Sequence, residues 1–329
     1  MKVVIDTQRC VNKRFARVKC TACIDVCPAR CISETLEIGK HCTNCGLCLA
    51  SCSVEAIGGV SYPLEAVQQL LTEQEPIRII CQRCQPDSLW PCLGFLDPTL
   101  LLAFVFSDKD SKREVVIYQE DCRRCCHDVA EHLVKTVAES NRLLGSGKQM
   151  IVNSKQKFGS LVAPQSISRR EFFTSLWEAS ILTVREIAFP TSEEVRAIPR
   201  RDLFIKYGIA HLRQNELYNQ TTFKKLAIEK TCNACGMCAK VCSSGAIVTT
   251  SKEGIFKIRH NPVICKNCGV CAALCPQGAI SLLPASSLSE AAVGLFKMPI
   301  CQDCGKAYQP VGNTSVCNDC MRKSRIFSS

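Results

Sequence analysis

The stretch that decides the fold runs from Cys232 to Cys275. It reads Cys232-Asn-Ala-Cys235-Gly-Met-Cys238-Ala-Lys-Val-Cys242 and, after a bridge, Cys265-Lys-Asn-Cys268-Gly-Val-Cys271-Ala-Ala-Leu-Cys275-Pro. Each half has the spacing C-x2-C-x2-C-x3-C. Thiolates are soft ligands that suit iron, and two-residue gaps turn successive sulfurs toward one centre. In a paired run of this kind, three cysteines of each half hold one cubane cluster and the fourth crosses over to the other. Cys232, Cys235, Cys238 and Cys275 therefore read as one ligand set. Cys242, Cys265, Cys268 and Cys271 read as the second.

This segment resembles a bacterial-type ferredoxin carrying two [4Fe-4S] clusters, and the chain opens on a less regular copy. The clear run there is Cys42-x2-Cys45-Gly46-x-Cys48-x3-Cys52. Before it, Cys20-x2-Cys23-x3-Cys27-Pro28 fits the second, third and fourth positions of the pattern. The first position falls to Cys10, displaced by the stretch Val11 to Lys19, which is rich in Lys and Arg and expected to loop out to solvent. The crossover rule then gives Cys10, Cys20, Cys23 and Cys52 to one cluster and Cys27, Cys42, Cys45 and Cys48 to the other. Cys31 stands where the other copies have Ala56, Ala246 and Ala279, so it reads as a small buried side chain rather than a ligand.

Composition sets the frame. The chain has 329 residues, 27 cysteines and a formal net charge of +11. Cysteines gathered in C-x2-C clusters point to metal rather than disulfides. The N-terminus lacks an apolar signal core, and no apolar run reaches the length of a membrane span. A cytoplasmic, anaerobic setting is the expectation. Ligand thiolates lower the real charge well below the formal one. Basic pairs such as Arg123-Arg124 and Arg200-Arg201 read as solvated surface, and nucleic acid is not an expected partner. A basic face for an acidic redox protein is compatible with this charge.

Between the two ferredoxin-like segments the pattern changes. Residues 61–76 read as an amphipathic helix, Ile77-Arg78-Ile79-Ile80 as a strand, Pro98 to Phe106 as a helix, Glu114 to Tyr118 as a strand and Val129 to Leu144 as a helix. That order implies a small parallel sheet, with Cys81 and Cys122 just past the strand ends where sites gather. The cysteines here are Cys81-x2-Cys84, Cys92, and Cys122-x2-Cys125-Cys126. With Cys92-Leu-Gly94-Phe-Leu-Asp97-Pro98 they resemble the delta subunit of methyl-viologen-reducing hydrogenase, an iron–sulfur protein that passes electrons toward heterodisulfide reductase. The resemblance implies a [2Fe-2S] cluster; zinc or another cubane stays open. Cys81, Cys84, Cys122 and Cys125 are the first choice of ligands, with Cys92 able to replace one, and Cys126 and His127 read as neighbours.

Residues 161–225 read as a helical spacer, including a capped helix at Ser168-Arg169-Arg170 and another over 200–217. Ser286 to Lys297 reads as a linker or short helix. The tail carries Cys301-x2-Cys304 and Cys317-x2-Cys320, a tetrahedral sulfur site of zinc-ribbon type with iron as the competitor. The expected architecture is thus an α+β multidomain chain. It has ferredoxin-like 2[4Fe-4S] modules at 1–60 and 226–285, a cysteine-rich α/β domain at 61–160, the spacer, and a zinc knuckle at 298–323. No phosphate-binding loop or nucleophile–base set is visible. The expectation is a relay of four [4Fe-4S] clusters and a middle centre, serving partner subunits of an oxidoreductase complex. The alternatives are an enzyme that reduces a sulfur compound or disulfide through the middle-domain cysteines, and an iron–sulfur redox sensor.

Overall fold

The structure is a computed structural model that describes residues 3–59, 62, 64–72, 76–107, 113–119, 122–144, 151–154, 197–210, 223–308 and 314–326. The first module pairs β1 (Val3–Ile5) antiparallel with β2 (Ile57–Gly59), so its two ends close on each other. Between them lie the short helices α1 (Val11–Arg14), α2 (Ala22–Asp25) and α3 (Leu47–Ser51), and α4 (Leu64–Thr72) follows. Helix α4 buries Val67, Leu70 and Leu71 along one face, as its spacing predicts.

The middle domain follows as β3 (Ile77–Ile79), α5 (Pro98–Phe106), β4 (Val115–Tyr118), α6 (Cys122–Cys125), α7 (His127–Leu144) and β5 (Ile151–Ser154). Strands β3, β4 and β5 pair in parallel in that order, which bears out the small parallel sheet and adds a strand beyond the two expected. Asp97 caps α5 by accepting the Leu100 N–H at 2.8 Å, with Pro98 in the first turn. Helix α5 is apolar all round because it is buried all round; Leu100 to Val105 are fully covered. Its core is continuous with that of the first module.

Helix α8 (Arg200–Tyr207) packs on α5 and leads to the second module. Of the expected spacer, residues 161–196, including Ser168-Arg169-Arg170, and 211–222 lie outside the described residues. The second module repeats the first: β6 (Lys224–Ile228) pairs antiparallel with β9 (Ile280–Pro284), and α9 (Met237–Val241) and α10 (Val270–Ala273) carry the third cysteine of each run. The bridge between those runs is a hairpin of β7 (Ile247–Lys252) and β8 (Ile255–His260). Its turn, Glu253-Gly254, has positive φ at both residues, as a tight two-residue hairpin requires.

Several expectations need correction. The stretch 291–297 is not a linker or helix but strand β10 (Ala291–Lys297), which pairs with β8. The tail ends in α11 (Asn318–Ile326). The stretch Val11 to Lys19 does not loop out: Val11 and Val18 are buried, and Asn12 clasps Cys20 through both its N–H and its carbonyl at 2.7 and 2.6 Å. Arg200-Arg201 is not solvated surface either, since both residues are buried. Burial of each is tolerated because every guanidinium is met by carbonyls or a carboxylate.

His260 illustrates burial without a charge. It is 1% exposed, its Nδ1 accepts the Leu226 N–H at 3.3 Å, and burial pushes its pKa down to about 4. It therefore braces strand β6 rather than touching a cysteine sulfur. Below about pH 6.5 the unfolded chain takes up a proton that the folded chain refuses. This contribution to stability is complete above pH 6.5 and lost as the pH falls toward about 4. The expected outcome is an unfolding free energy from urea titrations that drops between pH 7 and 5 with a slope of up to about 1.4 kcal/mol per pH unit, flattened in His260→Gln.

Candidate metal centres

The cysteine turns are built alike. In three of the runs the second residue after the first cysteine adopts positive φ: Asn44 at 53°, Ala234 at 57° and Asn267 at 54°. A glycine then follows the second cysteine and opens a short helix. At Gly46, φ is 84° and an added Cβ would sit 2.7 Å from the Phe95 backbone nitrogen, so both conformation and space demand glycine there. Past the fourth cysteine of a run, a backbone N–H returns to its sulfur. Ala56 donates to Cys52 Sγ at 3.3 Å, Ala279 to Cys275 Sγ at 3.4 Å and Cys31 to Cys27 Sγ at 3.4 Å. The slot needs a small buried residue, and Cys31 fills it with its sulfur 3.5 Å from that of Cys27.

The thiols fall into neighbourhoods. Burial, then Cys52, Cys20 and Cys10, push Cys23 up to about 11. Cys48 is raised by burial and then by Cys45, Cys42, Cys23 and Cys27 in that order. In the second module, burial and then Cys265, Cys268 and Cys242 raise Cys271 to about 12. Burial raises Cys232, with Cys235 and Cys275 adding to it. Burial likewise raises Cys238 to about 11, with Cys232 and Cys235 beside it. Cys52, Cys242 and Cys275 thus each stand near the other run's cysteines, while Cys48 lies near both Cys23 and Cys27. Thiols crowded so closely resist ionisation, and a bound cation is what makes the thiolate form stable. The soft donors, the positive-φ turns and the N–H groups aimed at sulfur suit iron–sulfur clusters.

The first and second modules meet through these neighbourhoods. Val11, Val18, Val54 and Ala56 of the first pack with Val270 of the second, flanked by Cys10, Cys20, Cys52, Cys268 and Leu274. The unexpected spacing between Cys10 and Cys20 therefore has a structural result: the extra residues form half of an apolar seam. Beside it the twin arginines bind three parts of the chain. Arg200 pairs with Asp97 at 3.0 Å and donates to the carbonyls of Ala50 and Cys52 at 2.9 and 2.8 Å. Arg201 donates to the carbonyls of Val263, Pro262 and Cys265 at 2.7, 3.1 and 3.1 Å, while its backbone N–H donates to Glu55. Lys266 closes the group on Glu55 at 2.8 Å. Nothing local in the sequence marks these residues, since a basic pair looks the same buried or exposed.

The middle-domain cysteines line a cavity of about 510 Å³ that also takes in Cys45 and Thr43 of the first module. Cys81 and Cys84 end β3 and the turn after it, with their sulfurs 3.8 Å apart. Two thiolates on one tetrahedral ion at about 2.3 Å stand about 3.8 Å apart, so this pair suits a single metal ion. Burial, then Cys81, Cys92 and Cys84, push Cys122 up to about 12, with Cys125 bearing on it less. Cys92 is raised by burial to about 12, with Cys45 and Cys81 contributing. Cys125 is exposed and its sulfur accepts from Arg83 Nη1 at 3.3 Å; Cys126 lies toward Cys45. The cavity thus gathers all six middle-domain cysteines beside the first module.

In the tail, the sulfurs of Cys301, Cys304, Cys317 and Cys320 all lie within 4.8 Å of one another, a compact set able to surround a single ion. Cys304 and Cys317 are 3.8 Å apart, the spacing of neighbours in a tetrahedral site. Burial opposes the Cys301 thiolate, but N–H groups from Cys317, Cys304 and Asp303 outweigh it and bring the thiol down to about 6.

A family model described as a 4Fe-4S dicluster domain matches residues 231–279. No curated protein was found to match the chain. With the cysteine geometry, the match defines a class: the chain carries a ferredoxin-like module that binds [4Fe-4S] clusters and transfers electrons. Among the described residues no helix is long and apolar enough to cross a membrane.

Proposed function

We propose that the chain is a polyferredoxin-like relay subunit of a cytoplasmic oxidoreductase complex, passing electrons between partner proteins that carry out the chemistry. Four [4Fe-4S] clusters are held by the four cysteine sets of the two modules. A fifth centre, of [2Fe-2S] type, rests on Cys81, Cys84, Cys122 and Cys125, with Cys92 as the alternative ligand. Cys301, Cys304, Cys317 and Cys320 hold structural zinc. When bound, the clusters supply one-electron chemistry; the protein supplies spacing, potential and docking.

The observation that carries this reading is adjacency. Cys45 lines the middle-domain cavity, linking that site to the Cys27, Cys42, Cys45 and Cys48 set. The Cys52 set belongs to the same module, and Cys52 and Cys268 both flank the Val11–Val270 seam, which supports a step from it to the Cys268 set. The Cys238 set then ends the series. Anaerobic purification with iron, sulfide and zinc counts is expected to give at least about sixteen irons from four cubes. A count below about twelve contradicts the relay.

A second reading is supported by the cavity itself, which is large, holds more cysteines than one four-ligand centre uses, and has Arg83 against exposed Cys125. On that reading the middle domain reduces a sulfur compound or disulfide. Turnover by the isolated chain with an artificial electron donor would favour it; activity only with co-purified partners favours the relay.

A further inference from the structure

The twin arginines sit where two ligand sets face each other, and both are cations buried against ligand backbones. Arg200 donates to the carbonyl of Cys52 and Arg201 to that of Cys265. Arg200 is 5% exposed and Arg201 7%, so both charges are held out of water beside these ligands.

Each cluster that takes up an electron gains one negative charge. A fixed cation held close by favours that reduced form, and the effect is strong where water is excluded. The junction group holds Arg200, Arg201 and Lys266 against Asp97 and Glu55, which leaves one positive charge uncompensated. Glu55 is 4% exposed; it pairs with the Lys266 ammonium and accepts the backbone N–H of Arg201.

We propose that Arg200 and Arg201 are positioning residues of the module junction. They dock the two modules and hold the facing Cys52 and Cys265 sets at the highest potentials among the four [4Fe-4S] sets, so that electrons passing along these sets collect there. The inference rests on the relay reading. In each transfer one electron leaves a reduced centre, which returns to its oxidised level, and the oxidised neighbour is reduced by one. No bond and no proton is involved.

The test is an EPR-monitored redox titration of the full, anaerobically purified chain with dithionite as the reductant. Arg201→Gln is expected to lower the potential of the first [4Fe-4S] centres to be reduced by at least about 59 mV, a tenfold weaker one-electron equilibrium. Arg201→Lys, which keeps the charge, is expected to restore most of it. Glu55→Gln keeps an acceptor for the Arg201 N–H but removes the counter-charge, so it is expected to raise the same potential. That opposite sign decides the matter even if Arg201→Gln loses its clusters. Unchanged potentials in both Gln variants, or shifts of the same sign, overturn the inference. Failure of the relay reading would show separately, as a low iron count in the unmodified chain.

Discussion

Replacing Val270 by aspartate is expected to open the chain at its central seam. Val270 begins α10 directly after Gly269 and is 3% exposed, packed against Val11, Val18, Val54 and Ala56. A carboxylate in that apolar position has no partner among these side chains, and an uncompensated buried charge costs about 3–5 kcal/mol. Each module keeps its own β-pair and its own cysteine turns, so the clusters are expected to stay while the docking is lost. Small-angle scattering should show a more extended molecule at an unchanged iron count. A compact variant, or one that loses its iron together with its shape, would mean that the seam does not join two self-contained modules.

Gly94→Ala is expected to have a comparable effect at the other junction. An added Cβ would lie 2.3 Å from the carbonyl oxygen of Cys45 and 3.2 Å from the backbone nitrogen of Leu47. Both are backbone atoms of the cysteine turn, so no side chain can swing away. Overpacking costs 1–3 kcal/mol and sometimes more, and a backbone collision this close belongs at the upper end, about 3 kcal/mol. The middle domain must then shift away from the first module, which separates Cys92 and Cys126 from Cys45. The expected outcome is a lowered denaturation midpoint with slowed electron exchange between the middle centre and the first module. Stability equal to that of the unmodified chain would show that the two backbones do not approach so closely.

The cysteine runs from Cys232 to Cys275, within the residues the dicluster model matches, were legible in the sequence because cluster chemistry imposes short, local spacings. The crossover rule needed nothing but order along the chain, and strands β3 and β4 announced themselves by short apolar runs of isoleucine and valine. What escaped was long-range. The stretch Val11 to Lys19 looks like a polar insertion, because Lys13, Arg14, Arg17 and Lys19 outweigh the two valines that the fold buries. Arg200 and Arg201 looked like surface charge because their partners, Asp97, Glu55 and the carbonyls near Cys265, lie dozens of residues away or more. Strand β10 was missed since its glycine and small residues, Ala291-Ala292-Val293-Gly294, weaken the alternation that marks a strand; it forms because β8 offers an edge, with a bulge between Ala292 and Gly294. The corrections share one cause. Local pattern shows what a residue prefers, and only the docked modules show what it meets.

The relay requires that neighbouring clusters sense one another along the whole series. The most direct measurement is EPR of the fully reduced, full-length chain, comparing line shape and relaxation with Val270→Asp. The arrangement predicts a spectrum broadened by interacting paramagnets in the unmodified chain. It also predicts partial collapse to narrower, separate signals when the seam is opened. A spectrum of the unmodified chain that is a simple sum of isolated clusters would contradict the continuous relay.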